Sequence, residues 1–201
     1  MFVLYDNLDS GNGYKVRLAM SHLGLAFRRV ELDIDSGATR TPEYLAKNPN
    51  GRIPALELDD GTVLAESNAI ICFLADGTPL WPAERLARAQ CLQWMFFEQY
   101  SHEPYVATPR YILRHLPADS PRRAELPWRT ATGRAALGVM DKHLASRPFF
   151  VANQLSVADI ALYAYTHVAP EGGIDLSPYR HVNAWLSRVA AQPGHVPITQ
   201  R

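Results

Sequence analysis

The chain has 201 residues, 47% hydrophobic and 20% charged, the balance of a soluble globular protein and enough for one large domain or two small ones. Twenty basic residues offset twenty acidic ones, so no chain-wide field exists to recruit nucleic acid or an anionic membrane, and neither is expected as a partner. No apolar segment approaches bilayer-spanning length, no basic-then-apolar leader follows Met1, and the two cysteines, Cys72 and Cys91, sit in apolar periodic segments. A reduced, cytoplasmic protein is the expectation.

Along the chain, Phe2 to Tyr5 reads as a strand. Val16, Leu18, Ala19, Met20 and Leu23 carry a helical period from Tyr14 until Gly24 stops it. Strict alternation from Val30 to Asp35 predicts a half-buried strand, and Thr41-Pro42 the cap and first position of a short helix. Ile53 to Leu58 and Val63 to Ala65 flank an Asp-Gly turn, a hairpin signal, and Ser67 precedes the buried helical run Ala69 to Leu74. The order β-α-β-α-β-β-α describes a compact four-stranded α/β domain.

Gly77-Thr78-Pro79-Leu80-Trp81-Pro82 is a linker by composition, and no convincing strand follows it. A long helix is predicted from Glu84 to about Ser101, with Pro104 and Pro109 interrupting what comes next. Ser120-Pro121 and Leu126-Pro127 are rival starts for a helix reaching about Leu144. Helices over Ser156 to His167 and Tyr179 to Ala191 complete an all-α bundle. The boundaries are thus 1–77, a linker over 78–84, and a helical domain over 85–201.

The loop Asp9-Ser10-Gly11-Asn12-Gly13-Tyr14 between the first strand and helix admits three readings. Gly11-x-Gly13 with Asp33 about twenty residues on suggests a dinucleotide fingerprint. However, Val16 stands where a third small residue belongs, and the hairpin after Asn50 breaks the βαβ pattern. An anion site is the second reading, since first-turn N–H groups, the Ser10 hydroxyl and the Asn12 amide suit a carboxylate, phosphate or thiolate. The third is an ordinary capped turn. Ile53-Pro54 at a strand start would leave a backbone edge for an extended peptide. Glu66-Ser67 would offer a carboxylate for an ammonium and a second helix start for an anion. Together these suit a small peptide carrying a thiol.

Four segments in this order, Ser10-Gly11-Asn12-Gly13-Tyr14-Lys15-Val16, Asn48-Pro49-Asn50-Gly51-Arg52-Ile53-Pro54, Glu66-Ser67-Asn68-Ala69-Ile70 and Ser156-Val157-Ala158-Asp159, resemble the cytosolic glutathione S-transferases over the whole chain. The resemblance implies a thioredoxin-like first domain and a helical second one. It also implies glutathione as co-substrate, a small hydrophobic electrophile or a disulfide as second substrate, and a homodimer engaged in detoxification. Ile53, cis-Pro54, Arg52, Glu66 and Ser67 would bind glutathione. Ser10, as in theta- and delta-like members, or Asn12, as in the nu class, would handle the thiolate. Tyr5 stands where tyrosine-type classes keep their activating residue, and no cysteine lies in the loop. Trp94 and Phe97 read as core, whereas Tyr100, His102 and Tyr105 are expected to line the second-substrate pocket. The histidines lack metal-ligand spacing, so no metal is expected. Asp159 reads as half of a capping box. A transferase is the leading reading, disulfide reduction on the same site its rival, and a non-catalytic binding or regulatory module the alternative of another class.

Overall fold

A computed structural model describes residues 1–200. The first unit contains residues 1–78 together with 193–200; the second spans 79–192. In the first, β1 (Phe2–Asp6), α1 (Gly11–His22), β2 (Phe27–Glu31), α2 (Pro42–Lys47), β3 (Ala55–Glu57), β4 (Val63–Ala65) and α3 (Ser67–Ala75) follow the expected order. The strands lie β2-β1-β3-β4, with β1 parallel to β2 and antiparallel to β3, which pairs antiparallel with β4. Leu4, Leu18, Leu56, Ile70 and Ile71 are fully buried between sheet and helices. This is the thioredoxin-like arrangement, and its hairpin takes the place of the further crossover a dinucleotide fold would need.

Two boundaries move for identifiable reasons. The first helix starts at Gly11 rather than Tyr14, because Ser10 caps it: its Oγ accepts from the Gly13 N–H at 3.2 Å. Asn12 therefore sits inside the first turn. The second strand ends at Glu31 rather than Asp35, because its partner β1 ends at Asp6, paired with Glu31. Alternation alone cannot hold a strand that has nothing beside it.

In the second unit, the Glu84 carboxylate caps α4 (Arg85–Phe97) by accepting from the Leu86 and Ala87 N–H groups. A π-helical turn, Glu98–His102, leads into α5 (Glu103–His115). The expected interruption at Pro104 and Pro109 does not occur. Pro104 lies in the first turn of α5, where its missing N–H costs nothing. Pro109 lies inside α5 and cannot donate to the Tyr105 carbonyl. Gly133 of α6 (Leu126–Leu144) packs against that carbonyl, so closely that a Cβ there would fall 2.6 Å from it. Both rival starts are used, since Pro121–Glu125 forms a 3-10 turn feeding α6.

The wholly buried α7 (Val157–Thr166) and the one-sidedly buried α8 (Arg180–Ala190) complete this unit. The Asp159 carboxylate holds four donors: Phe150 N–H and Trp185 Nε1 on Oδ1, Ser156 N–H and hydroxyl on Oδ2, at 2.8 to 3.0 Å. It closes the capping box of α7 and ties that helix to α8.

Residues 193–200 return to the first unit. Carbonyls of Pro193, Val196 and Ile198 accept from His22 Nδ1 (2.8 Å), the Tyr14 hydroxyl (2.6 Å) and Arg17 Nη1 (2.8 Å). The His22 Nδ1–H is thus spent on Pro193, while its buried Nε2 meets no acceptor among the described residues.

Two outcomes are expected. Asp159→Asn turns an amide N–H₂ against groups that are themselves donors and should cost roughly 2–4 kcal/mol in denaturant unfolding. Activity per folded molecule should be retained; unchanged stability would refute the structural role. Burial also lowers the pKa of His22 and of His195, the latter lowered further by His22. Below about pH 6.5 the unfolded chain therefore takes up protons that the folded one refuses, so this anchorage is complete above that pH and lost as pH falls. Hydrogen-exchange protection factors for 193–200 should drop between pH 7.5 and 5.5, and equal protection would show that the imidazoles do not hold the tail.

Candidate functional site

Tyr5 pairs with Ala55, and Ala55 with Ala65, in one row across the sheet. The chain leaving β1, the chain entering β3 and the chain leaving β4 therefore emerge at one end of the sheet. Ser10 and Asn12, Arg52 to Pro54, and Glu66-Ser67 lie on those three segments. Sheet register thus gathers residues far apart in sequence.

The β1–α1 loop is held from both sides. Asn7 Nδ2 donates to the Leu32 carbonyl at 3.1 Å, and the Leu8 N–H to the Glu31 carboxylate at 2.9 Å. Arg17 reaches back from α1 to the Leu8 carbonyl (2.8 Å) and pairs with Asp6 at 2.9 Å, both side chains almost fully buried. Burial pushes the Asp6 carboxyl up to about 6 against the pull of the Arg17 guanidinium. A Cβ at residue 13 would fall 1.5 Å from Asp6 Oδ1. Gly13 is thus explained by packing on Asp6 and needs no phosphate.

The second segment turns on the Arg52 carbonyl, which accepts from the Tyr44 hydroxyl (2.6 Å) and Asn48 Nδ2 (2.7 Å). The Ile53–Pro54 peptide is cis. Ile53 itself lies outside the ladder, since β3 begins at Ala55. Arg52 is exposed.

In the third segment, exposed Glu66 has φ 68°, a conformation that favours glycine and costs of order 1–3 kcal/mol in another residue. Buried Ser67 then opens α3, and its Oγ contacts Asn12 Oδ1 at 3.3 Å. Lys15 Nζ lies 3.4 Å from the same Oγ, and Lys15 is fully buried. Asn12 and Ser67 are therefore in direct contact, with Ser10 capping the same turn and Glu66 adjoining. Among the described residues no His/Cys/Asp/Glu group has the arrangement to hold a metal ion.

Sequence reasoning missed Lys15, the Asp6–Arg17 pair and the Tyr44–Asn48 grip. Lys15 and Arg17 stand in a stretch where every residue from Gly13 to Met20 is buried, and burial obliges such charges to find partners.

Tyr5 is committed elsewhere. Its hydroxyl donates to Glu57 at 2.7 Å, and Lys47 pairs with the same carboxylate oxygen. These two hydrogen bonds hold the Glu57 carboxyl below its ordinary range. In the helical unit, Trp94 packs in the core against Phe150 and His143. Tyr100 is 84% exposed, whereas His102 is fully buried, with Nε2 2.9 Å from the Thr166 hydroxyl. Tyr105 is half-buried edge-on to Trp128. These three side chains do not converge within that unit.

Residues 10–76 match the family model described as the glutathione S-transferase N-terminal domain, and residues 95–193 the glutathione S-transferase C-terminal domain. The chain is 51% identical to a glutathione S-transferase of Pseudomonas fluorescens Pf-5 of known crystal structure, covering 99% of each chain with a TM-score of 0.95. It is 30% identical to the disulfide-bond oxidoreductase YfcG of Escherichia coli over 90% of this chain and 87% of that protein. The glutathione transferase URE2P6 of Phanerochaete chrysosporium, solved with oxidized glutathione, is 27% identical, with a TM-score of 0.85 and coverage of 96% of this chain and 92% of that one.

Proposed function

This chain belongs to the glutathione S-transferase family, and we propose that it binds glutathione and activates its thiol for attack on a small hydrophobic electrophile. The observation that carries the reading is the meeting of Asn12 and Ser67 at the sheet end where the Ile53–Pro54 segment also emerges. Ile53 pairs with the peptide backbone through its main chain, beside cis-Pro54. Ser67 and the first-turn N–H groups of α3 take the γ-glutamyl carboxylate, Glu66 the ammonium, and Arg52 the glycine carboxylate. The thiol comes to the first turn of α1, at Ser10 and Asn12.

The energetics close without a general base or a metal. Lowering a thiol pKa from about 8.5 by two takes roughly 2.7 kcal/mol. A charge-assisted hydrogen bond supplies about 1.5–3 kcal/mol and a helix N-terminus up to about 2. We assign the hydrogen bond to Asn12, which meets Ser67 at this turn; Ser10 Oγ accepts from Gly13 and keeps its own O–H as the alternative donor. Tyr5 is the less suited donor, since its hydroxyl donates to Glu57.

A second reading, disulfide reduction, is favoured by the similarity to YfcG and to a transferase solved with oxidized glutathione. The same thiolate would attack one sulfur of a disulfide, forming a mixed disulfide and expelling the other sulfur as a thiolate. Tyr100 and Tyr105 remain the proposed contacts for the second substrate. Buried His102 would act only by supporting the π-helical turn that carries Tyr100.

A homodimer is the proposed assembly. Leu92 and Phe96 lie four residues apart on α4, both exposed. That is an apolar stripe without cover in the single chain.

Calorimetry should detect glutathione binding, and chlorodinitrobenzene and hydroxyethyl disulfide assays separate the two activities; no binding at millimolar glutathione would refute both. Asn12→Ala should lower kcat/KM at pH 7 by about 10- to 100-fold, with the bound thiol titrating higher. An unchanged titration would transfer the role to Ser10. Phe96→Glu should move the sedimentation coefficient from dimer toward monomer, and an unaltered dimer would place the interface elsewhere.

A further inference from the structure

Lys15 plays no part in the reading above, yet its position is specific. It is fully buried on the third residue after Asn12, and its Nζ lies 3.4 Å from Ser67 Oγ. That oxygen in turn lies 3.3 Å from Asn12 Oδ1. The three groups form a chain from the helix interior to the first turn of α1.

An ammonium has donors only, whereas a serine hydroxyl has one donor and two lone pairs. With Lys15 donating to Ser67 Oγ, the serine proton is directed to Asn12 Oδ1. A hydroxyl that accepts from a cation is polarised into a better donor and a poorer acceptor. Both contacts are long, so they govern the direction of donation more than its strength. The direction matters, because an asparagine amide can be turned through 180° at little steric cost. With its oxygen toward Ser67, the amide turns its nitrogen away as donor. Reversed, it would present a carbonyl oxygen where a thiolate must sit.

We propose that Lys15 is a positioning residue which, through Ser67 Oγ, fixes the Asn12 amide with its oxygen inward, so that its N–H₂ end meets the glutathione thiolate. The proposal rests on the glutathione reading above and refines it in one respect. The Ser67 hydroxyl serves Asn12, and the γ-glutamyl carboxylate is left to the backbone N–H groups opening α3. No bond is made or broken by Lys15.

The test combines a readout without ligand and one with it. In ligand-free protein labelled with ¹⁵N, the Asn12 side-chain amide resonances, assigned by their loss in Asn12→Ala, should move in both Lys15→Met and Ser67→Ala. Resonances unmoved by either change would overturn the proposal whether or not glutathione binds, which separates its failure from that of the proposed function. With glutathione bound, thiolate absorbance should show the thiol pKa raised by about one in Lys15→Met, a roughly threefold loss of thiolate at neutral pH. The dissociation constant should change by less than about threefold. In a Ser67→Ala background, Lys15→Met should add nothing further; an equal rise there would mean that the charge acts through space, and the relay would be wrong. Should Lys15→Met fail to fold, Ser67→Ala alone decides the matter: it must raise the thiol pKa, and a variant that only weakens binding refutes the assignment.

Discussion

A helix buried along every face from Gly13 to Met20 has no surface on which to leave a charge, and α1 carries two in that stretch. Arg17 is answered by Asp6 at the end of β1 and by carbonyls of the loop and of the returning tail. Lys15 is answered at the start of α3. Each contact gives a desolvated cation a polar partner on a segment of the candidate site. The loop after β1, the first turn of α1 and the opening of α3 are thus tied to the charges of that helix.

The same requirement accounts for the glycine pattern that resembles a nucleotide fingerprint. Gly13 lies against Asp6, the partner that Arg17 demands, and the closeness leaves no room for a side chain. The spacing of small residues records an internal ion pair, and a similar string in another chain carries no information about phosphate until its strand, helix and acidic neighbours are known.

Much of the architecture was legible because it rests on local chemistry. The Thr41-Pro42 helix start, the Asp-Gly hairpin and the Ser156–Asp159 capping box stand where their residues predict. The misplacements share a cause, namely dependence on a partner remote in sequence. The alternation through Asp35 outran β1, and Pro109 stands inside α5, where Gly133 of α6 packs against the carbonyl it deprives. The contact of Ser67 with Asn12 joins residues 55 apart, and nothing in either segment alone announces it. Tyr100 and His102 show the converse. Two residues apart on a helix is about half a turn, so neighbours in sequence face opposite ways, one to solvent and one to Thr166.

The return of residues 193–200 to the first unit has a bearing on how the protein is made. Arg17, Tyr14 and His22 all lie within the first 22 residues, yet the carbonyls they hold are supplied only after the whole helical unit has been translated. At ordinary ribosomal speeds that interval is of the order of ten seconds. During it the Tyr14 hydroxyl and His22 Nδ1 await these carbonyls, while Arg17 has Asp6 and the Leu8 carbonyl but not that of Ile198. The unit that starts first at the ribosome is therefore the one that finishes last, and a nascent chain stalled before residue 193 presents an α1 still open to solvent or to a chaperone.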